Sequence, residues 1–215
     1  MKKIIIVLML SSLLVKAQNT DSTKIIEDFE AFIRPTWMWN FNYSISIPNS
    51  DFYTFIPETS YSGLQIEGRY LFHKNLFSVG FLYGWNGFYH EFGRNTINFN
   101  GGAITSDMFR TLYSNSIMAN AHFYPKIKIE ILKPYVGFQF GPQYNILWQQ
   151  VGSYSLEEDN WDFGITPEVG MVILFGKDND WGLNVSGRYN YTWTNLSESL
   201  AISYFALNFG LSHTY

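Results

Sequence analysis

The stretch that most constrains this chain is Ala201–Tyr215 (AISYFALNFGLSHTY). In steps of two, Phe205, Leu207, Phe209 and Leu211 share one face, and Tyr215 ends it. Tyr204, Ala206, Asn208, Gly210, Ser212 and Thr214 share the other. A period of two residues is a β-strand with one large apolar side and one small, polar side. The same pattern recurs upstream. The chain is 19% aromatic and 15% charged, yet its mean hydropathy is −0.07. An intermediate average of this kind arises when extreme faces alternate along strands.

From Ala31 to Tyr43, Ala31, Ile33, Trp37, Trp39, Phe41 and Tyr43 oppose Arg34, Thr36, Met38, Asn40 and Asn42. Asn49–Ser60 reads as a polar, Pro-containing loop, and Ser62–His73 as a second strand with Gln65, Glu67 and Arg69 inward. A short turn at His73–Asn75 leads to a third strand bearing Phe77, Val79, Phe81, Tyr83 and Trp85 outside. The Gly/Asn-rich stretch Glu91–Asp107 reads as a long loop. Further strands are expected over Phe109–Tyr124, Tyr135–Trp148, Trp161–Phe175 and Trp181–Trp193. Pro125–Pro134 fits either a strand extension or a basic turn, Ser153–Asn160 an acidic loop, and Asn195–Ser199 a short loop.

The beginning of the chain reads as a secretory signal peptide over residues 1–17. Lys2 and Lys3 precede the apolar run Ile4–Val15, and Val15-Lys16-Ala17 has the cleavage pattern. The run is too short to cross a membrane as a helix. A polar leader over 18–30 follows, and 31–215 is one domain. Without Lys2, Lys3 and Lys16, 11 of the 14 basic residues remain against 18 acidic, a net charge of about −7. That balance argues against nucleic acid as a partner. The absence of cysteine excludes disulfides, thiolate metal sites and a lipoprotein anchor.

Three regularities fix the phase. All seven Trp residues take the outward register, many near strand ends where interfacial girdles belong. The strand-borne charges Arg34, Glu67, Arg69, Glu168 and Arg188 take the inward register. Apart from Lys24, the mature lysines (Lys74, Lys126, Lys128, Lys133, Lys177) fall at the shorter connections. The pattern predicts an all-β fold: a single eight-stranded, antiparallel, up-and-down transmembrane β-barrel with short periplasmic turns and longer extracellular loops. Pro35, Pro142 and Pro167 each predict a bulge, a strand end or a local phase error, because a closed sheet has no free edge for a residue without an N–H.

The signal peptide, the alternating segments and the terminal strand resemble the small eight-stranded outer-membrane barrels of the OmpA/OmpX type, with a Bacteroidetes-like start and strand composition. Asn208, Gly210 and Tyr215 match the C-terminal insertion signal of such proteins, while His213 stands where that signal prefers an apolar residue. The resemblance implies a monomer in the outer membrane of a Gram-negative bacterium. Its implied partners are membrane lipid, lipopolysaccharide and the barrel-assembly machinery. No catalytic residue and no cofactor come with it.

The inward charges invite two readings, a gate or proton path and a structural plug; eight strands leave an interior just wide enough for side chains. Their burial requires one hydrogen-bonded network. The acidic cluster Glu157, Glu158 and Asp159 reads as solvated loop surface or as a divalent-cation site bridging to lipopolysaccharide, without the spacing of a calcium loop. A lipid-modifying hydrolase would need a Ser and a carboxylate beside His90-Glu91, with Ser203 or Ser199 as nucleophile. His73, His122 and Ser212-His213 lie near the opposite end. The functional expectation is a non-enzymatic surface-interaction barrel; a lipid hydrolase and a narrow channel or small-ligand carrier are the alternatives.

Overall fold

The computed structural model describes residues 36–72, 76–99, 101–129, 131–175, 180–194, 196 and 201–215. Among these, the chain forms eight strands: β1 Thr36–Pro48, β2 Ser62–Phe72, β3 Phe77–Phe99, β4 Gly102–Phe123, β5 Leu132–Val151, β6 Tyr154–Phe175, β7 Trp181–Trp193 and β8 Ile202–Thr214. One short helix, α1 (Ser50–Phe55), lies between β1 and β2. Each strand pairs antiparallel with the next, and β1 pairs with β8 to close the ring. The signal peptide, the leader, Arg34, Pro35 and the turns at 73–75 and 176–179 lie outside the described residues.

Closure removes both sheet edges at the level of the ring. The seam runs from Met38↔Thr214 to Pro48↔Tyr204, and Trp37 and Tyr215 exchange backbone hydrogen bonds of 3.0 and 2.8 Å below it. Gly210 makes the close approach across this seam possible. A Cβ there would stand 1.9 Å from the carbonyl oxygen of Phe41.

Burial alternates along the ring-forming part of most strands. On β8, Phe205, Leu207, Phe209 and Leu211 are exposed, and Ala206, Asn208 and Ser212 are buried. The expected inversion holds through the middle of the ring, where large apolar side chains face outward and most inward side chains are polar, while buried apolar clusters lie inside toward each end. An exposed apolar surface that girdles the molecule exceeds what a water-soluble protein carries and suits hydrocarbon.

Strand length departs from expectation. β3 to β6 have 23, 22, 20 and 22 residues, whereas β1, β2, β7 and β8 have 13, 11, 13 and 13. The expected loop Glu91–Asp107 is instead the end of a β3–β4 hairpin, with pairing out to Phe99↔Gly102 and a register shift between Phe92 and Asn95. The expected loop Ser153–Asn160 is likewise paired, from Val151↔Tyr154 inward. Gly101 (φ 118°) and Gly152 (φ 59°) supply the left-handed backbone at these tight ends. The glycines and asparagines that suggested loops thus serve short turns and exposed strand.

Pro142 and Pro167 sit inside β5 and β6 without a bulge, a strand end or a change of phase. At Pro142 the β4–β5 ladder skips from Ser116↔Gln143 to Ala119↔Phe140, and the register is the same on both sides. At Pro167 the β6–β7 ladder skips from Ile165↔Tyr191 to Glu168↔Arg188, again without a slip. On the other flank, Pro142↔Phe163 and Phe138↔Pro167 remain paired. Each proline costs one neighbour's hydrogen bonds while the other neighbour holds the strand. Between Pro125 and Pro134 the described residues before Leu132, where β5 begins, are exposed and lie outside the strands.

Candidate functional site

The inward register converges on a charged layer in the half of the lumen nearer the start of β1 and the end of β8. β2 carries Glu67 and Arg69 two residues apart, so both side chains enter from one wall. β6 and β7 deliver Glu168 and Arg188, which are register partners. Arg69 Nη2 lies 2.7 Å from Glu67 Oε2 and 3.6 Å from Glu168 Oε1. Arg188 Nη2 lies 3.3 Å from Glu67 Oε2 and 3.0 Å from Glu168 Oε1. Two carboxylates and two guanidiniums alternate in a closed, charge-balanced set. All four side chains are at most 1% exposed.

Neutral groups complete the carboxylates' hydrogen bonds. Asn120 Nδ2 donates to Glu67 Oε1 at 2.8 Å, and Gln139 Nε2 to Glu168 Oε2 at 2.6 Å. Tyr135 donates to Glu168 Oε1 at 2.9 Å, while its own oxygen and that of Tyr124 accept from Arg69 at 3.2 and 3.1 Å. Gln65 accepts from Arg188 Nη1. His122 joins the same cluster, with Nε2 3.2 Å from Glu168 and 3.5 Å from Glu67. The alternation places His122 inward near the end of its strand, and it is buried inside. Neither His122 nor Tyr135 was counted as a member, because only the strand-borne Arg and Glu residues were grouped and both of these lie near strand ends. Their inward parity was the available signal.

Glu67, His122 and Glu168 offer ligand atoms within 4.8 Å of one another, a donor set that suits a metal ion. Arg69 and Arg188 already neutralise both carboxylates, so a divalent cation would have to displace two buried guanidiniums. The geometry favours the ion-pair layer.

The other half of the lumen is closed by apolar side chains. Phe52, Ile56, Phe88, Leu112, Leu147, Leu196, Ile202, Tyr204 and Ala206 form one buried cluster. Phe52 and Ile56 come from the stretch expected to be a polar loop. Phe52, Phe55 and Ile56 have helical spacing, and α1 carries Phe52 into the barrel mouth against Phe88, edge to face, at 5.0 Å. Arg110 donates to the Phe55 carbonyl at 3.2 Å and lies over the Phe55 and Phe92 rings at 4.1 and 4.6 Å. Asn49 and β8 hold the base of this lid: the Asn49 carbonyl accepts from Ser203 Oγ at 3.0 Å.

The remaining candidates are scattered. Glu157, Glu158 and Asp159 lie on β6 rather than in a loop, so strand alternation separates Glu158 from the other two. Asp159 accepts from Tyr144 at 2.5 Å. His90 pairs with Glu58 at 2.8 Å, whereas Ser203 is engaged by Asn49. Ser199 lies outside the described residues. The His, Ser and acid expected of a hydrolase are therefore not assembled among the described residues. Of the proposed insertion residues, Asn208 is buried and donates to Ser186 at 3.2 Å, Gly210 lies at the seam, and Tyr215 is 90% exposed.

No protein-family profile matches the chain, and no curated protein matches it. Among solved structures it resembles the Neisserial surface protein A at 14% identity, with a TM-score of 0.51 over 84% of this chain and 97% of that one. The chain has the fold of the small eight-stranded outer-membrane barrels. It also aligns with Ail, the attachment invasion locus protein of Yersinia pestis, at 11% identity and a TM-score of 0.46, over 84% and 97% of the two chains. The N-terminal barrel domain of Pseudomonas aeruginosa OprF aligns at 7% identity and a TM-score of 0.41, over the same shares.

Proposed function

We propose that this protein is a non-enzymatic surface barrel of a Gram-negative outer membrane, mature after cleavage near Ala17 and monomeric. In this reading 18–30 is a periplasmic leader and 31–215 the barrel. The ion-pair layer and the apolar lid plug the lumen, and the β3–β4 and β5–β6 hairpins are the parts that meet the outside. The observation that carries the reading is the length contrast: four adjacent strands run 20 to 23 residues while the other four stop at 11 to 13. A bilayer needs only about 9–11 residues per strand. The excess projects beyond the ring on the side away from the start of β1 and the end of β8, as two hairpins on a rigid, plugged mount.

The test compares cells displaying the full chain with cells whose hairpins are cut back to about residues 90–110 and 148–158. Adhesion to host cells, matrix-coated surfaces and other bacteria is measured for both, and planar-bilayer conductance for the purified barrel. The reading expects silent bilayers and adhesion that disappears with the hairpins. Steady single-channel currents, or adhesion that survives the trimming, would overturn it.

A further inference from the structure

The outer surface of the barrel has a feature that a uniform lipid-facing belt does not need. At the end of the wall where β1 starts and β8 ends, a shallow apolar groove of about 390 Å³ runs from the end of β2 across β3, β4 and β5. Phe72, Phe77, Phe123 and Phe138 wall it, and the small residues Ala121 and Gly137 floor it. The Phe77 ring packs against Phe72 at 6.2 Å and Phe123 at 5.2 Å, which makes one wall continuous. Ala121 is the partner of both Val79 and Phe138, so the depression follows directly from a small residue between large ones.

The chain leaves this groove at Phe123 and enters the connection to β5, PKIKIEILKP in sequence. That segment holds three lysines and one glutamate. Lys126, Lys128 and Lys133 are also the only lysines among the described residues. Lys126 and Lys128 are exposed, and they alternate with Ile127 and Ile129, exposed by 44% and 53%. Exposed isoleucines next to exposed lysines suit a boundary between hydrocarbon and phosphate, where the apolar side chain enters the acyl layer and the cation stays at the headgroups.

We propose that this rim binds one anionic phospholipid of the periplasmic leaflet, with an acyl chain in the groove and the headgroup phosphate on Lys126 and Lys128. The inference rests on the membrane placement proposed above. The occupant follows from two complementary features: an apolar groove continuous with the lipid-facing belt, and a net cationic segment where the headgroups begin. A second groove on the wall, between Pro167, Val169, Gly187, Tyr189, Phe205 and Leu207, provides an internal comparison. Its two charged lining residues, Glu168 and Arg188, are turned into the lumen and buried, so among the described residues no cation lines it on the outer face.

The test uses the refolded barrel, first shown to be closed by its heat-dependent mobility on an SDS gel. Without that shift the membrane placement fails, and the lipid question does not arise. The folded barrel is loaded with phosphatidylglycerol or phosphatidylcholine in mixed micelles, and retained lipid is counted by native mass spectrometry. We expect one phosphatidylglycerol retained in preference to phosphatidylcholine. Lys126→Gln with Lys128→Gln should weaken retention about 25-fold, at roughly fivefold per lysine. Ala121→Phe, which fills the groove from the outside, should remove it while both lysines remain. Gly187→Leu, in the comparison groove, should change nothing; a Cβ at Gly187 meets no atom within 4 Å. Equal retention of the two lipids, or indifference to both the lysine and the Ala121 variants, would overturn the site. Displacement by inorganic phosphate alone would overturn the groove as the anchor.

Discussion

At the height of Glu67 and Arg188, the lumen is shut by side chains that all belong to the ring or its immediate ends. At the height of Phe88, it is shut by a side chain carried in from outside the wall, Phe52 of α1. The first closure is ionic and hydrogen-bonded; the second rests on apolar area and one edge-to-face ring pair. They should therefore fail differently. The ionic layer cannot lose a member without stranding a buried charge next to strands that form the barrel. The lid can leave while every strand keeps its partners. A six-residue helix has no stability of its own, so α1 exists only as long as its packing does.

The largest effect is expected from Glu168→Leu, which removes the partner of Arg188, an acceptor of Gln139 and Tyr135, and the contact of His122. Removing one member of a buried ion pair costs about 3–5 kcal/mol. It should appear as an earlier midpoint of urea unfolding, followed by the gel mobility of the closed barrel. An unchanged midpoint would mean that the ionic layer does not support the ring. Next comes Phe52→Ala, which empties the centre of the lid at a cost of about 3 kcal/mol, at the low end for a buried Phe. That loss should be local. Hydrogen exchange should accelerate over residues 50–56 while the barrel's own midpoint stays in place. If both move together, the two closures are one unit and the comparison collapses.

A smaller effect sharpens the ionic half. Arg188→Met added to Glu168→Leu leaves Glu67 and Arg69 as a balanced pair. It should recover about 2 kcal/mol of the single variant's loss, because the penalty is the stranded charge more than the lost contacts. The measurement is a double-mutant cycle on the same unfolding curves. Simple additivity would refute the idea that charge balance is what this layer preserves.

The two halves were also unequally legible in the sequence. A side chain's parity on a strand decides whether it enters the lumen, so the inward direction of Glu67, Arg69, Glu168 and Arg188 could be read from spacing alone. Parity carries no information about height relative to strands that are staggered around a ring, so the contacts of inward His122 and of Tyr135 with the charged layer were not legible. The lid was hidden for another reason. A helix of six residues has too few positions to show a period, and the Pro and Ser around Phe52 give loop signals stronger than its helical spacing. The projecting strands were masked by the glycines that make their turns. Arg34, the fifth inward charge read from the alternation, lies outside the described residues.

The smallest expected effect lies where the two closures meet. Tyr204 belongs to the apolar cluster through its ring, 5.1 Å from that of Phe88. Its hydroxyl leaves that cluster and accepts from Asn86 Nδ2 at 3.2 Å, and Asn86 Oδ1 in turn accepts from Ser46 at 3.0 Å. Tyr204→Phe keeps the ring and its packing and deletes only this polar link. A net hydrogen bond is worth about 1 kcal/mol, so the barrel midpoint should fall by about that much. The lid should be almost unaffected, because no ring contact changes. Faster exchange over residues 50–56 in Tyr204→Phe would show that the Asn86 link also transmits stability to the lid. A midpoint that does not move would place the boundary lower in the lumen, below Asn86, and leave Tyr204 wholly to the apolar half.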